Sequence, residues 1–92
     1  MSPAVLKQLE AIRHQTEGLN GTIVKWADYD EGLVVMSNYE PNERQEGGVW
    51  VDVYEHGDTT PAYSSQAERA DSLREHIQHP EGGREYQVTG LE

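Results

Sequence analysis

Cysteine is missing from the 92 residues, so neither a disulfide framework nor a thiolate metal site can support the fold. Lysine is nearly missing too, with Lys7 and Lys25 the only two. No apolar run approaches the roughly 18 residues of a bilayer span, and the first residues lack a basic-then-apolar leader pattern. A soluble, cytoplasmic protein without membrane contact is therefore expected. Also absent are a nucleophile elbow, a Walker loop and a dinucleotide-binding glycine pattern. Carboxylates are plentiful, but a catalytic pair needs a cleft that drives two pKa values apart. A chain this short buries only about 60–65% of its unfolded surface, which leaves little depth for one. No enzyme and no cofactor is expected, and residues 1–92 read as one small domain in which Leu91-Glu92 resembles a cloning remnant.

The acids that are present are unevenly placed. The formal net charge is −10. Nine acids fall between Asp28 and Asp58 (Asp28, Asp30, Glu31, Glu40, Glu43, Glu46, Asp52, Glu55 and Asp58), opposed there by Arg44 alone. The helical segments are close to balanced, whereas adaptation to high salt would acidify helix faces as well. A phosphate backbone needs clustered Lys and Arg, so direct nucleic-acid binding is not expected. A basic protein would instead be attracted and steered.

Local patterns give the order α-β-β-β-α-β. In "SPAVLKQLEAIRHQTE" (2–17), Ser2 can cap, Pro3 suits the first helical position, and Val5, Leu9 and Ile12 recur at helical spacing. Gly18 and Asn20-Gly21 end that helix. "GTIVKWADYDEGLVVMSNY" reads as a β-hairpin turning at Asp30-Glu31-Gly32, with Gly32 expected at positive φ. The segment 40–48 is a polar loop, and Val49 to Glu55 alternates as a third strand. Ser65 with Glu68 has the form of a capping box, and Ala70, Leu73 and Ile77 follow at helical spacing, which predicts a second helix over 65–78. "REYQVTG" (84–90) reads as the last strand. The expected fold class is α+β, a two-layer sandwich of about four antiparallel strands with two helices on one face.

In that arrangement Val49, Val51 and Val53 would meet Val5, Leu9, Ile12, Leu73 and Ile77. Trp50 and Tyr54 would lie on an uncovered face, joined by Trp26 if its register allows. Exposed aromatic patches often mark interfaces. The competing arrangement covers both sheet faces with a split pair of helices and makes these aromatics interior.

Metals have weaker support. His76 and His79 are three apart, but a closed zinc site would need His14, His56 or Glu75 to converge on them. "DYDEG" (28–32) has its glycine one place early for a calcium loop and lacks the acid at the twelfth position. The expectation is therefore a non-enzymatic protein-binding or inhibitory module. Its partner would be a basic, possibly nucleic-acid-binding protein. Trp50, Tyr54 and Trp26 would be anchors, and Asp28, Asp30, Glu31, Asp52, Glu55 and Asp58 an acidic rim. In kind it is similar to phage-carried inhibitors and toxin-blocking immunity proteins. Its acids are under half as dense as the phosphates of duplex DNA, which carries one charge per about 1.7 Å. The alternatives are a homodimer joined through the open sheet face and a small metal- or ligand-binding domain using the histidines.

Overall fold

Ser2 begins the first helix as read from the sequence: its Oγ accepts from the Ala4 amide at 3.2 Å, and Pro3 takes the first helical position. The computed structural model describes residues 2–68 and 72–87. In these, helix α1 (Pro3–Gly18) is followed by strands β1 (Gly21–Asp28), β2 (Leu33–Tyr39), β3 (Gly48–Tyr54) and β4 (Tyr63–Gln66). A 3₁₀ turn (Leu73–His76) and strand β5 (Arg84–Gln87) complete the order. The fold is α+β, with one antiparallel sheet of five strands ordered β4-β3-β2-β1-β5. No helix among the described residues is long and apolar enough to cross a membrane.

The second helix expected over 65–78 is not seen among the described residues of that range, 65–68 and 72–78. Ser64, Ser65 and Gln66 pair instead with Asp52, Val51 and Trp50, and the ladder is extended by Ala62 N–H to Val53 O at 2.7 Å and Ala67 N–H to Val49 O at 3.0 Å. Backbone groups on the outer edge of a strand need partners, and that demand overrides a local capping signal. Leu73 and Ile77 are still buried, but a single 3₁₀ turn delivers them. Ala70, a third member of the expected stripe, lies outside the described residues, as do the end of the expected last strand from Val88 and the Leu91-Glu92 pair.

The helical elements also divide differently from the expected arrangement. Val5, Leu9 and Ile12 of α1 pack on the sheet face that carries Ile23, Trp26, Leu33, Val35 and Tyr54. Leu73 and Ile77 pack on the other, with Ala27, Tyr29, Val34, Met36, Val51 and Val53. The valines thus meet the 3₁₀ turn as expected, while α1 covers the aromatic side. Gln8 sits in the buried stripe of α1 and fastens the helix. Its Nε2 donates to the carbonyls of Glu55 at 2.9 Å and Asp58 at 2.8 Å.

Two local details fix the register. Between Ile23 and Lys25 the β1–β2 pairing shifts at Val24, a bulge that puts Ile23 and Trp26 on one face although they are three apart. Gly32 does not adopt positive φ; it is needed because a Cβ there would lie 2.6 Å from the Tyr54 carbonyl oxygen. A positive φ is instead adopted by Asn20, at 61°, in the turn between the helix and β1.

Trp26 is fully enclosed, and its ring stacks on Tyr86 with centroids 4.3 Å apart and planes 18° from parallel. Truncation of a core aromatic removes both transfer and packing energy. Trp26→Ala is expected to cost about 3–5 kcal/mol, and the half-buried Trp50→Ala to cost roughly 1 kcal/mol. Urea unfolding of the two variants measures the difference.

Candidate functional site

Register places Trp26, Trp50, Asp52 and Tyr54 on the same sheet face, since Trp26 pairs with Val35, Val35 with Asp52, and Leu33 with Tyr54. Trp26 therefore does share a face with the other aromatics. That face is not open. Trp26 (0% exposed) and Tyr54 (4%) lie beneath α1 and are core residues, which removes both as surface anchors. The helix covers this part of the sheet and stops at Gly18, so Trp50 remains half-buried beyond its end.

There, a cleft of about 390 Å³ opens on the α1 side of the sheet. Its floor is built by Tyr39 of β2, Trp50 and Asp52 of β3, and Ser64 and Gln66 of β4. Leu19, just past the helix, and Gln45, Glu46 and Gly47 of the β2–β3 loop form its walls. The polar loop 40–48 is tied in place. Asn42 Oδ1 accepts from the amides of Arg44 at 2.7 Å and Gln45 at 3.1 Å. Gln45 Nε2 then donates to Leu19 O at 3.2 Å and Glu40 O at 2.9 Å, which joins one wall to the other. A turn residue and a glutamine, neither apolar nor acidic, thus shape the cleft.

Asp52 is the buried acid of the band, 8% exposed. Burial raises its pKa, partly opposed by a hydrogen bond with Ser64 across the β3–β4 ladder. Its charge acts on its neighbours in turn. Burial pushes the Tyr39 phenol up, and the nearby Asp52 charge adds to it. Tyr54 is raised strongly by burial, then by Asp52 and by Tyr39. Alternation along β3 put Asp52 on the face of Trp50; what was not visible in the sequence is that β4 pairs alongside and sets Ser64 opposite it.

The remaining acids do not form a continuous rim around Trp50. Asp28, Asp30 and Glu31 at the β1–β2 turn and Glu55 and Asp58 after β3 gather at one end of the sheet, because Asp28, Leu33 and Tyr54 lie in one row. Glu40, Glu43 and Glu46 lie on the β2–β3 connection at the opposite end. At the first end His56 Nε2 lies 2.7 Å from Asp28 Oδ1, the Asp30 amide donates to Glu81 O at 2.9 Å, and Glu31 Oε2 accepts from the His79 amide at 3.0 Å. The proposed rim residues thus serve partly as fasteners for the chain around residues 79–81.

Among the described residues no group of three or more His, Asp or Glu is placed to hold a metal ion. The backbone carbonyl of His76 accepts from the Tyr63 hydroxyl. No family model matches the chain, and no solved structure matches it.

A carboxyl whose pKa is higher folded than unfolded holds its proton more tightly in the native state. For Asp52 the native state then binds more protons as pH rises from the usual carboxylate range, and stability falls until the folded group has ionised. Asp52→Asn lacks that loss. Its stability relative to the wild type is expected to be higher at neutral pH than below the usual carboxylate range. Paired urea titrations at the two pH values check this, and an unchanged difference contradicts it.

Proposed function

We propose that the protein is a non-enzymatic binding module for a protein partner with a basic surface, acting in the cytoplasm, in the manner of small inhibitors and immunity proteins. The observation that supports this best is the Trp50–Asp52 cleft. It holds a recessed carboxylate and an aromatic ring, and among the described residues none that line it is basic. Eight further acids of the band stay at least partly exposed at the two ends of the sheet and supply long-range attraction. The ion pairs of Arg13 with Glu17 and of Lys25 with Glu85 lie outside this band.

Binding is favoured over catalysis because Asp52 is joined to Ser64 with no histidine among the described lining residues to take a proton. The anchors are reduced from three to one, since Trp26 and Tyr54 support the core and Trp50 alone reaches the cleft. Self-association has less support. Among the described residues the large apolar side chains left exposed are Leu6 on α1, Leu19 after it and Tyr63 on β4, three separate places rather than the apolar core that a homodimer interface carries.

The test is a titration of a fluorescent peptide rich in arginine and lysine, with sedimentation velocity alongside. Affinity is expected to weaken at least tenfold between about 50 and 500 mM salt, as screening of exposed charges requires. The sedimenting mass should stay that of a monomer. A dimer at both salt concentrations, together with no binding of the basic peptide, contradicts the proposal.

A further inference from the structure

Three features of the cleft bear on what it takes in. The carboxyl-terminal end of α1 reaches its wall at Leu19. The Leu19 and Asn20 amides and Gln45 Nε2 bond the last carbonyls, and a helix end of this kind carries up to about half a negative charge. The last turn of α1 contains no basic residue to offset it. Asp52 adds a full charge in a setting that is 8% exposed, and Glu46 adds another on the loop side. All three sources have the same sign, and they converge on a space walled by Trp50, Tyr39 and Leu19.

A small cation with a flat apolar face suits such a space. The volume of about 390 Å³ admits a long side chain entering from outside and is near the lower end of ligand pockets. An ammonium is compact and strongly hydrated, so it would give up more water than the cleft returns. A guanidinium is planar, less tightly hydrated and able to stack on an indole while forking onto a carboxylate. The hydrogen bonds that join Gln45 to Leu19 and Glu40 hold the two walls together before anything binds, which lowers the ordering cost of association.

We propose that this cleft takes one arginine side chain of the partner, with its guanidinium against Trp50 and its fork on the Asp52 carboxylate. The inference rests on the basic-partner reading above and narrows it to one recognised group. Exposed Leu19, at 59%, lies where the aliphatic stem would cross the rim. The acids at the far end of the sheet, Asp28 to Glu31 with Glu55 and Asp58, then contribute attraction without selecting the residue.

The experiment uses short peptides that are neutral apart from one arginine, and their lysine and citrulline counterparts, titrated into the full chain at low salt. Amide NMR shifts and tryptophan fluorescence report binding, and Trp50→Phe assigns the fluorescence change, since Trp26 is enclosed. The arginine peptide is expected to move the signals of Trp50, Asp52 and Ser64. It should bind at least about tenfold more tightly than the lysine peptide, a difference of about 1.4 kcal/mol. Citrulline, which keeps the shape without the charge, should not bind, and Asp52→Asn should lose at least about tenfold in affinity for arginine. Equal binding of lysine and arginine overturns the inference, as does a response confined to the Asp28–Glu31 turn or to Glu40 and Glu43. In either case an arginine- and lysine-rich peptide would still bind, and the broader proposal would stand. Failure of every basic peptide at low salt would overturn both.

Discussion

Four consecutive residues of β2, Leu33, Val34, Val35 and Met36, are all buried, and they point alternately to the two faces of the sheet. Neither face can then be left to water. Exposing one would leave two large apolar side chains uncovered at the centre of the sheet, at roughly 1.5–3 kcal/mol each. The strand is central in the order β4-β3-β2-β1-β5, so the demand for cover falls in the middle of the molecule. The chain meets it with unequal material. A 16-residue helix lies on one side, and a four-residue 3₁₀ turn carrying Leu73 and Ile77 lies on the other.

That inequality is what leaves one corner of the sheet uncovered. At 1.5 Å per residue α1 is about 24 Å long, enough to shield Trp26, Val35 and Tyr54 but not the β3–β4 corner past its end. The corner is occupied by Trp50, Asp52, Ser64 and Gln66, polar or amphipathic side chains that tolerate partial solvation. The same helix end that stops short of the corner lies at its edge through Leu19, so the negative pole of the helix is close by. Coverage of the core and the electrostatics of the cleft are thus one geometric fact: where α1 begins is set by Ser2 and Pro3, and where it ends is set by the turn through Asn20.

Much of this was legible in the sequence. The cap and stripe of α1, the β1–β2 hairpin, the alternation of β3 and the α+β class all follow from local patterns that the structure retains. The number of layers was legible too, though read differently. An uninterrupted "LVVM" is the mark of a strand buried on both faces, where alternation would mark a half-exposed one. The second helix was misread because Ser65 and Glu68 offer a cap signal while the neighbouring edge of β3 offers Ser65 a strand partner, and only the latter involves distant residues. The bulge at Val24 leaves no local trace that separates it from a regular strand, so the shared face of Ile23 and Trp26 was not derivable from spacing. In the site, Trp50 and Asp52 were named, but Tyr39, Gln45 and Ser64 were not. Their roles depend on cross-strand pairing and on a loop folding back to the helix end.

Trp26 and Asp52 show the two ways this small domain departs from the least costly packing. The Trp26 indole N–H is buried without an acceptor among the described residues, a cost of about 1–3 kcal/mol that its packing and the Tyr86 stack offset within the core itself. Asp52 has no comparable return inside the free protein. A threonine or valine on that strand would suit the sheet and avoid desolvating a carboxylate, whereas Asp52 keeps a hydrogen bond with Ser64 and raises the pKa of two tyrosines around it. Local rules broken without an internal gain concentrate at functional positions, because the compensating interaction comes from outside. For a buried carboxylate beside an aromatic ring near the carboxyl-terminal end of a helix, the interaction we propose is with a cation. The internal chemistry of the cleft, more than the acidity of the chain as a whole, therefore gives the proposed partner its sign.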